Sequence, residues 1–503
     1  MHTGEQPQYE ADICLILEGT YPYVPGGVSS WVHSLINGLN EFTYSIVLLL
    51  PDKQERKPKY PIPANVTGIH EVYLQDPSLF EKPLMKQPPS HEALSSSWNF
   101  HMNMPFVVDS DNPTLGKDEF EQMVAQFHKK EWNIPSVFHS KAVWNSIVQL
   151  NHIRNPEASF LDYYWTWKYL HAGILTTIAA EVPLCRMYHT VSTGYAGLLA
   201  ARAGILTGRP MIVTEHGIYS KERKIEISRA SWIFEKSKNR FNAEQEMDTF
   251  KQIWIDSFRV MSRMCYDQAE QIITLFTGNQ RLQMDDGAPV EKLKVIPNGV
   301  EYSTMSQLTP DPQTPPVIGF VGRVVPIKDV KTFLRAIALV VRVIPEIQVW
   351  IMGPTEEDKK YYEECVQLAK SLKIDHLLTY TGNVDLKRYY PKLSVMVLTS
   401  LSEGQPLVIL EAQCLGIPCV ASDVGACREL LEGRDEDKSL GPGGIITGLA
   451  SPDSTASAIV SILQKPSLAK RLGEAGKQRM KEYYDMPIFY NHYRKIYLST
   501  TNS

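Results

Sequence analysis

Two glutamates within residues 402–411 are the side chains best suited to bind a ligand rich in hydroxyl groups. Glu403 lies in a predicted strand-to-helix loop, and Glu411 lies in the second turn of a helix predicted to begin at Pro406. A carboxylate accepts hydrogen bonds from sugar or ribose hydroxyls, and each charged bond contributes about 1.5–3 kcal/mol. Acidic residues also favour helix starts without any ligand, so the assignment depends on the neighbouring motifs.

A basic pair precedes another predicted helix in the same half of the chain. Arg323 and Lys328 follow the predicted strand 317–321 and a glycine, Gly322, and stand five positions apart. Two fixed cations at one strand end would stabilise the charge of a diphosphate leaving group without a metal ion. At about 4 Å and an effective dielectric of about 20, each charge pair contributes roughly 4 kcal/mol before desolvation is subtracted. The alternative is an exposed Arg and Lys flanking a loop, and the strand–loop–helix setting favours phosphate binding.

Three more strand-ending loops carry candidate residues. Gly26 and Gly27 begin the first predicted helix, where backbone N–H groups can approach an anion closely, although a plain tight turn explains them equally well. They form neither a Gly-x-Gly-x-x-Gly fingerprint nor a Walker A loop, so a nicotinamide oxidoreductase fits poorly. His216 follows a predicted strand and is equally compatible with a structural role. The loop 423–425 has a simple turn as its alternative.

The order of the predicted elements indicates an α/β fold of two Rossmann-like, doubly wound domains. Short apolar strands alternate with helical patterns in both halves. Residues 51–156 lack this alternation, so we predict an insertion there, either an acceptor or partner surface or a structural cover. The proline-rich linker 303–316 separates the halves. Two such domains predict a cleft, at which the carboxyl ends of both sets of strands face a ligand.

The N-terminal domain is predicted to span residues 1–310 and to be completed by a C-terminal helix at about 483–503. The C-terminal domain is predicted to span residues 311–482. Predicted strands are 11–17, 44–50, 184–190, 210–214, 272–275 and 293–296 in the first domain, and 317–321, 347–352, 378–381, 395–399 and 418–421 in the second. Predicted helices include 28–39 and 194–206, then 330–343, 361–372, 386–390 and 406–415.

Composition argues against several classes of protein. The 503-residue chain has 51 basic and 56 acidic residues, so no basic excess points to nucleic acid. No stretch approaches the roughly 18 apolar residues that span a bilayer, and the apolar run near the start is too short for a signal peptide. The seven cysteines are dispersed without a Cys-x-x-Cys pair, which favours buried thiols in a reducing compartment. We expect a cytoplasmic protein.

Together these motifs resemble glycosyltransferase family 4, the large retaining GT-B family. The resemblance covers about residues 11–50 and 180–485. The family's pair of glutamates matches Glu403 and Glu411, and its phosphate clamp matches Gly322, Arg323 and Lys328. Other matching positions are Gly26, Gly27, His216, the segment 295–300 and the loop 423–425.

The resemblance implies a role for each of these residues. Glu403 would hold hydroxyls of the transferred sugar, Glu411 the ribose of a uridine nucleotide, and the basic pair the diphosphate. The catalytic residues would be Glu403, His216, Arg323 and Lys328, and the nucleotide-sugar site would include Gly26, Gly27, Gly322, Arg323, Lys328, Glu403, Gly404, Leu407 and Glu411. Two departures concern this site: Gln405 and Pro406 stand where the family usually has Phe-Gly, and Ala426 where it usually has glycine. Gln405 therefore leaves the choice of sugar open.

The implied function is that of a retaining hexosyltransferase that needs no metal or other cofactor. It would move a hexose or N-acetylhexosamine from a UDP-sugar, of the UDP-glucose type, to a growing polysaccharide in exopolysaccharide biosynthesis. Its partners would be the UDP-sugar, a glycan acceptor and inner-membrane proteins of a polysaccharide synthase complex, which could hold it at the membrane periphery. Two alternatives stay open: a non-catalytic UDP-sugar-binding or regulatory subunit of such a complex, and a GT-B nucleotide-sugar epimerase.

Overall fold

The chain divides into two compact units. The computed structural model describes residues 8–81, 117–128, 134–154, 159–229, 249–311 and 313–501. The N-terminal unit comprises Met1–Thr274, Asn279–Lys294 and Arg494–Ser503, and the C-terminal unit comprises Leu275–Gly278 and Val295–Tyr493. The chain therefore enters the second unit ahead of the proline-rich linker. The last helix, Met486–Thr501, contributes residues to both units.

The N-terminal unit is built on a seven-stranded sheet in the order β3-β2-β1-β4-β5-β6-β7. The pairs from β3 to β6 are parallel. Every residue of β2 and β5 is buried, as expected for central strands of a parallel sheet covered on both faces. The strands are β1 (Ala11–Glu18), β2 (Tyr44–Leu50), β3 (Val66–Tyr73), β4 (Cys185–Thr190), β5 (Met211–Glu215), β6 (Gln271–Thr274) and β7 (Leu293–Val295).

The prediction of an insertion at residues 51–156 needs a correction, because β3 lies inside it. This strand pairs in parallel with β2 at the edge of the sheet. None of its residues is buried, and polar residues such as Thr67, His70 and Glu71 interrupt the apolar run that marks a central parallel strand. Residues 82–116 of the predicted insertion lie outside the described residues.

Helices connect and cover the strands of the N-terminal unit. The tyrosine hydroxyl of Tyr497, near the end of the last helix, lies 2.7 Å from Nδ1 of His189 on β4 and ties that helix to the sheet. Helices that lie in this unit, wholly or in part, are Gly27–Gly38, Lys117–His128, Ile134–Phe138, Lys141–Arg154, Phe160–Ala179, Tyr195–Thr207, Tyr219–Arg229, Thr249–Gln268, Thr277–Asp285 and Met486–Thr501.

The C-terminal unit has a six-stranded parallel sheet in the order β10-β9-β8-β11-β12-β13. The strand order reverses between β8 and β11, and at such a point neighbouring loops leave the carboxyl edge of the sheet in opposite directions, which opens a crevice for ligands. The loop after β8 contains residues 322–328 and the loop after β11 contains residues 399–406. The strands are β8 (Val317–Val321), β9 (Gln348–Met352), β10 (Leu378–Gly382), β11 (Val395–Leu398), β12 (Cys419–Ser422) and β13 (Gly444–Thr447).

The helices predicted at 330–343, 361–372 and 406–415 are present with bounds that differ by one or two residues, whereas the helix predicted at 386–390 is not. The helix predicted there is replaced by two short 3-10 turns, Leu386–Arg388 and Tyr390–Lys392. Pro391 explains the difference, because proline has no N–H to donate and disfavours the α conformation in the residue before it. The helices are Tyr302–Met305, Val330–Val341, Lys359–Ser371, Leu407–Cys414, Cys427–Glu432, Pro452–Gln464, Pro466–Tyr483 and the start of Met486–Thr501.

Two further expectations concern the state of the cysteines and the presence of membrane-spanning helices. All seven cysteines are buried and free. In the part of the chain that the structure describes, no helix combines the length and the apolar character needed to traverse a membrane.

Candidate functional site

Lys328 and Glu403, 75 positions apart in the sequence, meet at the carboxyl edge of the C-terminal sheet. Nζ of Lys328 lies 2.5 Å from Oε1 of Glu403. The hydroxyl of Ser400 donates to the same carboxylate oxygen at 2.6 Å. The two charged side chains are only 20% and 11% exposed, so their charges are weakly screened by solvent. The structure thus brings together one member of the predicted phosphate clamp and one of the predicted glutamates.

Hydrogen bonds between the two loops hold this pair in place. The hydroxyl of Thr399 donates to the carbonyl oxygens of Lys328, at 3.3 Å, and Asp329, at 2.9 Å. The backbone N–H of Leu401 donates to the carbonyl oxygen of Ile327 at 2.9 Å. Asp329 itself adopts a left-handed conformation (φ 44°) and caps the helix Val330–Val341 by accepting from Thr332 N at 3.2 Å. The backbone that carries Lys328 is therefore fixed on both sides.

Arg323, the other predicted clamp residue, faces a different acid. Its guanidinium lies 2.5 Å from Oε1 of Glu357, and both side chains are about half exposed. An exposed pair of this kind contributes about 0–1 kcal/mol, so Arg323 can exchange Glu357 for another anion at little cost. Gly322 lies directly before Arg323. A Cβ added at Gly353 would come within 2.1 Å of the carbonyl oxygen of Gly322. This close approach of the loops after β8 and β9 requires the glycine at 353.

Glu411 is partly buried on the helix Leu407–Cys414 beside a tyrosine. The hydroxyl of Tyr390 donates to its Oε2 at 2.8 Å. Burial raises the pKa of Glu411, and the Tyr390 hydrogen bond and the positive charge of Lys387 oppose this increase only in part. Pro406 is the N-cap of the helix rather than its first residue, because its ψ of 109° is extended. The predicted helix start is thus one residue early.

The loop 423–425 packs directly on the loop that carries Glu403. A Cβ added at Gly425 would lie 2.2 Å from the carbonyl oxygen of Glu403 and 2.3 Å from that of Gly404. Ala426 N donates to the carbonyl oxygen of Gly404 at 2.8 Å. Gly425 also has a positive φ of 53°, so two independent constraints require glycine there. This loop supports the candidate site from behind.

Replacing Gly425 by alanine is expected to destabilise the C-terminal unit by about 2–4 kcal/mol, which combines left-handed backbone strain with overpacking. Gly382→Ala is the matched control, since Gly382 has a similar φ of 66° and nothing within 4 Å of an added Cβ. That control should lose only the backbone part, about 1 kcal/mol. Urea unfolding of both variants measures the difference, and equal losses would contradict the packing role.

Gln405, one of the two departures from the family pattern, anchors the segment 295–300. Its Oε1 accepts from Asn298 N at 2.6 Å, and the side chain is 8% exposed. Burial and this hydrogen bond give Gln405 a structural function that the sequence did not indicate. Its Nε2 is buried and has no hydrogen-bond partner among the described residues.

In the N-terminal unit, His216 lies just after β5 and stands out by its unsatisfied ring. Both ring nitrogens are buried and have no hydrogen-bond partner among the described residues. The ring makes an edge contact with Trp31, with ring centroids 4.7 Å apart. Trp31 lies on the helix Gly27–Gly38, whose N-cap is Gly26. The structure therefore connects the histidine loop with the helix that the glycine pair begins, and the ligand roles of Gly26, Gly27 and His216 stay predictions.

Burial lowers the pKa of His216 to about 4, so its ring should be neutral near pH 7. Since the folded value lies below the ordinary 6.5, this residue favours unfolding increasingly as the pH falls from 6.5 toward 4. NMR of the 13C-histidine-labelled chain, with His216→Gln to identify the signal, should show no titration of His216 above about pH 5.5. A midpoint near 6.5 would contradict this prediction.

Several contacts at the site have no signal in the sequence. Ser400 could have been suspected from its position three residues before Glu403, whereas Tyr390 and Glu357 lie in other strand-ending segments and become partners only through folding.

In the part of the chain that the structure describes, no group of three or more His, Cys, Asp or Glu side chains is arranged to hold a metal ion.

Solved structures define the class of fold. Sucrose-phosphate synthase from Thermosynechococcus elongatus matches with a TM-score of 0.55 and 14% identity, covering 97% of this chain and 98% of that one. Anabaena Alr3699/HepE in complex with UDP matches with a TM-score of 0.57 and 15% identity, covering 97% and 100%. With its two doubly wound parallel sheets, the chain has the GT-B fold of glycosyltransferases.

Two family models match the sequence. The model described as "Domain of unknown function (DUF3492)" matches residues 11–291, more than half of the chain, and the protein therefore belongs to the DUF3492 family. The model described as "Glycosyl transferases group 1" matches residues 315–465, which contain Arg323, Lys328, Glu403 and Glu411.

Curated relatives match over part of their length. D-inositol 3-phosphate glycosyltransferase of Kineococcus radiotolerans is 26% identical over 248 residues, which cover 45% of this chain and 56% of that protein. MMP alpha-(1->4)-mannosyltransferase of Mycolicibacterium hassiacum is 24% identical over 280 residues, covering 55% and 62%. The chain thus spans somewhat more than half the length of these relatives.

Proposed function

We propose that the protein is a retaining, metal-independent glycosyltransferase that moves a hexose or N-acetylhexosamine from a UDP-sugar to a growing polysaccharide. The contact between Lys328 and Glu403 carries this proposal. It places a cation suited to a diphosphate and a carboxylate suited to sugar hydroxyls side by side at the strand-order reversal of the sheet. The match of this region to group 1 glycosyl transferases supports the same assignment.

The individual side chains suit the parts of a UDP-sugar. Glu411 lies on the helix that follows the Glu403 loop and would accept hydrogen bonds from the ribose hydroxyls. Arg323 would leave Glu357 for the diphosphate, and Lys328 would share its charge between Glu403 and the phosphate. Related folds have been solved with UDP and with UDP-glucose, which supports a uridine nucleotide as the donor.

The proposed reaction is a front-face displacement. The bond between the anomeric carbon and the diphosphate oxygen breaks, and the acceptor hydroxyl forms its new bond from the same face. The departing phosphate takes the hydroxyl proton, so the anomeric configuration is kept. Lys328 and Arg323 would stabilise the charge that develops on the diphosphate, which is the chemistry expected of a transferase that uses no metal.

The more specific proposal is that this chain is PelF, the glycosyltransferase of Pel exopolysaccharide synthesis in biofilm formation. The sequence resembles PelF at residues 17–31, at residues 214–219 and in the aromatic run 163–167. The protein would then act in the cytoplasm, at the inner membrane through proteins of the synthase complex, with a UDP-sugar and the growing glycan as substrates.

Thermal-shift measurements with UDP-, GDP- and ADP-sugars, followed by a transfer assay, test this function. A UDP-sugar should raise the melting temperature most, since stabilisation grows with occupancy. Release of UDP that requires a glycan acceptor would support a transferase, whereas release without any acceptor would favour the epimerase. Binding of UDP without transfer to any glycan would favour the non-catalytic subunit, and no stabilisation by any nucleotide sugar would overturn the proposal.

A further inference from the structure

Glu215, the last residue of β5, is a fully buried carboxylate that four separate segments bind. It accepts hydrogen bonds from the Tyr266 hydroxyl at 2.6 Å, Gln283 Nε2 at 2.9 Å, the Thr193 hydroxyl at 3.2 Å and Tyr219 N at 3.4 Å. These donors come from the helix Thr249–Gln268, the helix Thr277–Asp285, the loop after β4 and the start of the helix Tyr219–Arg229.

All four of these partners are neutral groups, so the charge of Glu215 is buried at a cost. Burial raises the pKa of Glu215 to about 7, the hydrogen bonds from Tyr266 and Gln283 oppose that increase, and the nearby acid Asp286 adds to it. A buried carboxylate that accepts hydrogen bonds only from neutral donors lowers the stability of the folded state relative to an apolar residue of similar size. The four donors, rather than apolar packing, therefore account for an acid at this position.

The segment that Glu215 holds is the loop of His216. The bond from Tyr219 N to Glu215 closes a turn of which His216 and Gly217 are part. Gly217 lies beside the carboxylate of Glu222, and an added Cβ would be 2.1 Å from its Oε1. On the far side of the same turn, the hydroxyl of Tyr219 donates to Oε1 of Glu18 at 2.6 Å.

The ring of His216 has no hydrogen bond of its own among the described residues to fix its direction. Its orientation therefore depends on the backbone of this turn and on the edge contact with Trp31. We propose that Glu215 is a positioning residue, which orients His216 for the transfer reaction by fixing the turn after β5. This inference rests on the proposed function and on the catalytic role that the family resemblance implies for His216.

A double-mutant cycle of Glu215→Gln and His216→Ala tests the proposal. Glu215→Gln should lower kcat at least 10-fold with less than a 2-fold change in the KM for the UDP-sugar, because the C-terminal site is untouched. In the His216→Ala background the same change should have little further effect on kcat. Independent, multiplicative losses, or unchanged kcat in Glu215→Gln, would overturn it. Glu270→Gln, at an exposed acid directly before β6, is the matched control and should retain full activity.

A second measurement tests the positioning role of Glu215 without an assay of transfer activity. The 13C signal of the His216 ring should shift or broaden in Glu215→Gln and stay unchanged in Glu270→Gln, with UDP binding preserved in both. An unchanged His216 signal would overturn the positioning role. Absence of transfer by the wild-type protein would instead refute the proposed function, so the two failures are distinguishable.

Discussion

Lys328→Ala is expected to lower kcat by about 100–1,000-fold, the range for removing one preorganised group that stabilises transition-state charge. Lys328 is expected to be the larger contributor of the two clamp residues because its side chain is only 20% exposed and is held by two loops. Arg323→Ala should have a smaller effect, since its half-exposed side chain is more screened, and the double variant should be the least active. Radiolabelled sugar transfer measures all three.

Lys331→Ala is the matched control for this series. It removes a cation three residues further along, which pairs with Glu364 rather than Glu403. Lys328→Ala leaves Glu403 with Ser400 alone, and a loss of up to about 3 kcal/mol in the free energy of unfolding is expected from breaking such a pair. Circular dichroism at the assay temperature therefore has to accompany the kinetics. A folded double variant with full activity would remove the clamp from the mechanism.

Glu411→Gln is expected to weaken UDP binding by about 10–100-fold while leaving stability unchanged or raised. The loss of affinity follows from replacing a charged acceptor of ribose hydrogen bonds by a neutral amide. The stability effect has the opposite sign because the raised pKa shows that burial disfavours the charged form of Glu411. An acid whose folded pKa is raised loses stability as the pH increases through its unfolded value toward its folded one, and Gln removes that loss at neutral pH.

Calorimetric titration with UDP and thermal unfolding at pH 7 measure the two effects. Tyr390→Phe is the companion variant, because it removes the hydroxyl that fixes Glu411 and keeps the carboxylate. It should weaken UDP binding less than Glu411→Gln does. Unchanged UDP affinity in Glu411→Gln would contradict the ribose assignment.

The sequence predicted the C-terminal unit better than the N-terminal one. Strand β8 has the predicted bounds, and β9, β11 and β12 differ from theirs by one residue at one or both ends. Strands β8, β11 and β12 are buried throughout and β9 in most of its residues, so they appear as short apolar runs. Edge strand β3 has no such run, and Pro391 prevents the expected helix after β10. The apolar pattern was the only basis for the prediction in both regions, and the prediction was wrong in both.

Local chemistry determined which residues lie at strand ends. Glycines, prolines and the apolar runs around them place Gly322, Glu403, Gly425 and His216 in loops after strands, and that much is encoded within a few residues of each position. The alternation of strands and helices predicted two α/β domains, because each amphipathic or apolar segment is defined by its own neighbours. The GT-B fold itself was implied by the family resemblance.

Only the tertiary structure decided which of these residues touch. Lys328 forms an ion pair with Glu403, and Arg323 forms one with Glu357. The hydroxyl of Tyr390 donates a hydrogen bond to Glu411. Glu215 gains four donors from segments that lie 4 to 68 positions away. Such partners depend on the order of strands in the sheet and on how the loops pack, because a hydrogen bond or an ion pair requires atoms within about 3 Å and sequence spacing sets that distance only for near neighbours.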